Sequence, residues 1–163
     1  NHAGINGVLP NLLRDVDIMV ESFMQSMEAI EAAQPGDFTA NQATMFEASD
    51  FNRTWTPNSS GTDHAWGTHT FCVGGAVEDA IGAGADKKIH GKFPTLLVNG
   101  PNDVPGNNNR GRWIPQISTD QYYARLANWF GVSDTDMHTI FPNLANGFTD
   151  PLTHPDLDFL PKI

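Results

Sequence analysis

Asp50, Arg53, Asp63, His64 and His69 all fall inside one stretch, residues 44–77, that reads TMFEASDFNRTWTPNSSGTDHAWGTHTFCVGGAV. Carboxylate oxygens and imidazole nitrogens are the usual protein ligands of divalent ions, and a guanidinium recognises anions through a fork of N–H donors. Two acids, two imidazoles and an arginine at this spacing make a candidate active site. Asp63, His64, His69 and Asp50 are the candidate metal ligands, and Arg53 is the group that would stabilise developing negative charge. A structural reading of the same residues stands beside it. Asp63 can make an Asx turn, His64 and His69 can hydrogen-bond loop carbonyls, and Asp50 can pair with Arg53.

Elements that position such a site must surround it. Thr44 to Ala48 is a short apolar run that reads as a strand, and Ser49 to Thr54 follow directly at its end, where open α/β sheets bind ligands. A Pro-Asn-Ser-Ser-Gly turn interrupts the polar loop after it, and a second strand closes at Gly74-Gly75. Upstream, Leu12, Leu13, Val16, Val20, Phe23, Met24, Met27 and Ile30 recur at spacings of three and four, which predicts an amphipathic helix from Leu9 to about Ala33. Pro10 suits its first turn, and Gln34-Pro35-Gly36 ends it. The stripe Leu12, Val16, Phe23 and Met27 is expected to pack against the sheet that contains Thr44–Ala48, with Met19, Met24 and Met27 as core filling. Residues 1–7 read as a loop with an isolated, solvated His2.

Downstream, residues 78–92 suggest an elaborated hairpin or loop carrying a surface His90, and Phe93–Val98 an edge strand or extended segment. Asn99–Arg112 is too rich in Asn, Gly and Pro for a regular element. Asp103 with Asn107, Asn108 and Asn109 offers oxygen ligands for calcium, without the alternating acids and closing Glu of a calcium loop. Ser118 begins a capping signature before Tyr122, Leu126, Trp129 and Phe130, and Ser133 opens a shorter helix to about Ile140. Residues 1–148 are expected to form the α/β domain and 149–163 a Pro-rich tail lying on another surface. Trp55, Trp66 and Trp113 read as core or loop anchors.

Composition narrows the function. Nineteen acids against nine Lys and Arg give a formal charge of −10, which leaves no basic stripe for a phosphate backbone and argues against nucleic-acid binding. No apolar run is long enough to span a membrane. The single Cys72 has no internal disulfide partner, and its apolar flanks suggest a buried small residue. A chain that opens on Asn1 is expected to follow a removed segment.

The ordered motifs Ser49-Asp50-Phe51-Asn52-Arg53-Thr54, Asp63-His64-Ala65-Trp66-Gly67, His69, Gly74-Gly75-Ala76-Val77, Arg110-Gly111-Arg112-Trp113-Ile114-Pro115 and Trp129-Phe130-Gly131-Val132 resemble the secreted bacterial family named domain of unknown function 1501. That family is distantly related to alkaline phosphatases and sulfatases. Asn52 departs from the glycine expected in its Asp-Phe-Gly-Arg-Thr motif. The resemblance implies the C-terminal portion of a three-layer α/β sandwich with a mainly parallel sheet, in a periplasmic or extracellular protein. It further implies that Asp63-His64 is the superfamily's metal-ligand pair for zinc, manganese or calcium, with Asp50 and His69 beside it, and that the chemistry is hydrolysis of phosphate or sulfate esters. The remaining layers would come from copies of the chain or from a companion chain of the same precursor. The competing expectation is a non-catalytic secreted or surface protein that keeps the fold for assembly.

Overall fold

The computed structural model describes residues 2–67, 69–78, 89–104 and 110–161. They form two compact units, residues 1–75 with 93–115, and residues 76–92 with 116–163. Among the described residues no helix is long and apolar enough to cross a membrane.

The first unit opens with helix α1, Ile5–Ala33, which begins four residues before the predicted Leu9, so the expected N-terminal loop is already helical from Ile5. Gly4 caps it in the left-handed conformation at φ 67°, and Pro10 lies inside the helix rather than in its first turn. The predicted end holds. Pro35 disfavours helical geometry at Gln34, and Gly36 takes φ 91°.

The expected packing of α1 does not occur, since no residue of this helix is buried. Leu12 is 49% exposed and Met19 50%, while Phe23 and Met27 are half-buried. Lengths explain why. A helix of 29 residues is about 43 Å long, whereas a three-residue strand covers about 10 Å. The strands are β1 Thr44–Phe46, β2 Arg53–Pro57, β3 Thr62–His64 and β4 Cys72–Gly74. β1 pairs with β4 and β2 with β3, both antiparallel, so the parallel sheet implied by the resemblance is not among the described residues. Near its C-terminal end α1 meets a single 3-10 turn, Ala40–Gln42, where the Ala40 N–H donates to Glu31 Oε2 at 3.1 Å. Phe93–Val98 forms no strand, and Cys72 is half-buried. Trp113 is buried as expected of an anchor, but Trp55 and Trp66 are exposed.

The second unit is helical. In α2, Thr119–Trp129, the Ser118 hydroxyl accepts from the Gln121 N–H and the Gln121 side chain answers on the Ser118 N–H, a complete capping box. Ser133 caps α3, Asp134–Ile140, in the predicted place. Ala124, Met137 and Leu144 form a buried cluster, flanked by Ala127, Val132 and Phe141. The C-terminal segment does not lie out as a separate tail: Leu157, Phe159 and Leu160 are buried, Leu160 completely. It is tied in by the Gln121 Nε2 bond to Thr149 O at 2.7 Å, the Glu78 N bond to Phe159 O at 2.9 Å, and the stacking of Tyr122 on Phe159.

Candidate functional site

The polar loop expected after Ser49 is in fact a β-hairpin, and it builds the site. Its turn is the predicted Pro-Asn-Ser-Ser-Gly segment, closed by Asn58 N–H to Gly61 O at 2.8 Å and by Gly61 N–H to Asn58 Oδ1 at 2.9 Å. Ser59 takes φ 95° there. Arg53 stands opposite His64 in the register, and Ala65 N–H to Asn52 O at 2.7 Å extends the pairing beyond the strands.

Two further segments dock on this hairpin. The Ile5 N–H at the start of α1 donates to Ser60 O at 2.9 Å, which brings His2 against the turn. Trp55 N–H to Gly111 O at 3.0 Å and Thr56 N–H to Arg110 O at 2.9 Å lay residues 110–111 along β2. Gly111 is required at that approach. Its φ is 66°, and a Cβ would meet Trp55 Cβ at 2.5 Å.

The side chains then converge in part. Asp63 Oδ1 accepts from Asn58 Nδ2 at 2.9 Å, and Oδ2 accepts from Arg110 Nη2 at 2.5 Å. The Asn58 hydrogen bond, helped by the fields of Arg110, His2 and Arg112 and opposed by partial desolvation, holds the Asp63 carboxyl below its ordinary 3.8. His64 stacks on Phe51 at 4.2 Å between ring centroids and meets the edge of His2 at 5.0 Å. Asn58 Nδ2 also lies 3.2 Å from His2 O and 3.3 Å from His2 Nδ1. Arg53 Nη1 donates to Thr62 O at 3.2 Å, and its guanidinium lies 5.2 Å from the Phe51 ring centre.

Two predicted ligands stand apart from this cluster. His69 packs on Phe93 at 4.5 Å, and Asp50 is exposed in the bend ahead of β2. Asp63 and His64 are successive residues of a strand, so their side chains leave on opposite faces, a poor arrangement for sharing an ion. Among the described residues no group of three or more His, Cys, Asp or Glu is placed to hold a metal. The predicted donor set therefore does not by itself fit a zinc, manganese or calcium site. The calcium alternative meets a similar obstacle. Asp103 is buried with Oδ2 accepting from Asn99 N–H at 2.9 Å and Oδ1 from Arg112 N–H at 2.8 Å, while Asn107, Asn108 and Asn109 lie outside the described residues.

What the hairpin does assemble is basic: Arg110, Arg112 and His2 act on the Asp63 carboxylate, while Arg53 stands with His64 across the strand pair. Of the participants, His2 and Asn58 are not among the candidate site residues, whereas Arg110 and Arg112 are legible in the sequence as arginines able to hold an anion, with solvated loop arginines the commoner case. The Arg110-Gly111-Arg112 motif and the turn asparagine were the available signals. In the second unit, His90 is not the expected surface residue. Its Nδ1 lies 2.6 Å from Asp158 Oδ1 and its Nε2 3.1 Å from Glu78 O. Arg125 is buried near these acids, and burial, countered by Glu78 and Asp158, lowers its pKa.

The chain matches no protein-family model, and searches of curated proteins and of solved structures return no match.

Proposed function

We propose that the β2–β3 hairpin is an anion-recognition wall for phosphate or sulfate esters in a secreted, alkaline-phosphatase/sulfatase-like protein. One observation carries this reading: in a chain of charge −10, Arg110, Arg112 and His2 gather around the Asp63 carboxylate, and Arg53 is fixed on the same hairpin by Thr62 O. Arg110 is held by Asp63 and by Pro57 O, and Arg53 by Thr62 O, so both are oriented before an anion arrives. Their role is to bind and align the ester and to oppose charge on its oxygens. The wall alone performs no bond cleavage. The three-layer sandwich, a divalent metal and a periplasmic or extracellular location belong to this proposal through the motif resemblance, with the remaining layers supplied by further copies or by a companion chain.

Titration with inorganic phosphate, inorganic sulfate and p-nitrophenyl phosphate, followed by calorimetry, tests it. Arg53→Gln and Arg110→Gln should each weaken binding about tenfold, the effect of losing a charge-assisted hydrogen bond. Equal binding by both variants and the parent would reject the wall as an anion site.

The second reading, a non-catalytic assembly protein, is favoured by a different observation. The longest helix of the chain presents its apolar stripe to solvent.

A further inference from the structure

The stripe on α1 has a more specific pattern than amphipathicity. Ile5, Leu9, Leu12, Val16, Met19, Phe23, Ser26, Ile30 and Ala33 follow one another by alternating steps of four and three residues, a heptad seam running the length of the helix. A seam of period 3.5 is the pattern that packs a helix along another helix, with knobs entering holes. Leu12, Val16, Met19 and Ile30 on this seam are each at least one-third exposed, so the protein leaves it open.

The charges choose the occupant. α1 carries five acids against one base, which at first sight opposes pairing with itself. Their positions remove the objection. Asp17, Glu21, Glu28 and Glu31 lie on the side of the helix away from the seam, and of the flanking positions Val8, Leu13, Asp15, Val20, Ser22, Met27 and Ala29, only Asp15 is charged. A seam meant for a basic partner would carry its acids on those flanks, where they steer partner choice. Apolar flanks instead widen the contact for a like helix.

We propose that α1 is a self-association surface, paired lengthwise with α1 of a second copy of this chain. The inference rests on the assembly reading and is independent of the anion wall. A helix about 43 Å long and about 10 Å across, covered over a third to a half of its side wall by an equal partner, removes ~1,000 Å² in total. That is the lower edge of specific interfaces, so the dimer should be reversible at micromolar concentrations.

Sedimentation equilibrium from about 1 to about 100 µM spans the transition such a constant implies. The mass should rise from 17.8 kDa toward twice that value. Leu12→Glu with Val16→Glu, at positions already solvent-accessible in the single chain, should raise the dissociation constant at least ~100-fold. Ile18→Glu, exposed and off the seam, should leave it within about twofold. Far-UV circular dichroism at the highest concentration confirms that both variants stay folded. A mass of 17.8 kDa throughout, or equal effects of the seam and off-seam variants, overturns the proposal. A different polypeptide found on α1 in native material overturns self-pairing and leaves the assembly reading standing, and phosphate binding by the seam variant separates either result from the anion wall.

Discussion

The two units solve the problem of burying apolar surface in opposite ways. The second closes on itself: two short capped helices and the C-terminal segment bury Ala124, Met137, Leu144, Leu157, Phe159 and Leu160. The first places a long apolar stripe on a helix that buries none of it, and its buried positions include Thr54, Thr62 and Asp103 beside Ala65 and Trp113. Backbone pairing and polar staples therefore hold the first unit, while the hydrophobic effect holds the second. The proposed pairing of α1 with a second copy rests on this contrast.

The sharpest way to break this contrast is a pair of core truncations. Leu160→Ala removes a fully buried side chain and should cost about 3–5 kcal/mol in urea unfolding, whereas Phe23→Ala on half-buried α1 should cost under ~1 kcal/mol in dilute protein. Similar losses would mean that α1 is packed within the single chain. Next in size is Asp103→Ala, which leaves the Asn99 and Arg112 N–H groups without their carboxylate and should cost about 2–3 kcal/mol by the same assay. A loss below ~1 kcal/mol would show that polar staples do not hold the first unit. In the second unit, Ser118→Ala removes the cap of α2 and should lower stability by about 1 kcal/mol, read as a shift in thermal midpoint.

The smallest expected effect concerns pH. The folded state depresses the Asp63 carboxyl below 3.8, chiefly through Asn58, so its stabilising contribution is full above that value and fades as pH falls through the lowered one. Acid titration of Asp63→Asn against the parent should show the two stability curves converging only below about pH 4. Parallel curves across that range would mean that the Asn58 and Arg110 contacts do not discriminate the carboxylate from the amide.

Local signals account for most of what the sequence revealed. The helix stop at Gln34-Pro35-Gly36, the caps at Ser118 and Ser133, the Asn58–Gly61 turn and strands at Thr44 and Cys72 all depend on neighbours within a few residues. Burial did not follow, because the period of α1 states which face is apolar and not whether a surface exists to cover it. The hairpin escaped notice because Arg53–Pro57 and Thr62–His64 are polar, and their pairing is set by backbone bonds and by residues 110–111, far away in sequence. The site divided for a similar reason. Adjacent Asp63 and His64 look like a ligand pair in a string of letters, but a strand sends them to opposite faces, and the partners Asp63 does take, Asn58 and Arg110, come from the turn and from a distant loop. His90 with Asp158 is likewise a contact between residues far apart in the chain.

Hydrogen–deuterium exchange at two protein concentrations tests the central contrast most directly, because most of a protein helix's stability and protection comes from packing of its amphipathic face. In dilute protein the amides of α1 should exchange at least ~10-fold faster than those of α2, and raising the concentration should protect α1 along Leu9–Ile30 while leaving α2 unchanged. Protection of α1 equal to that of α2 at every concentration would contradict the account, since the helix would then be covered within the single chain.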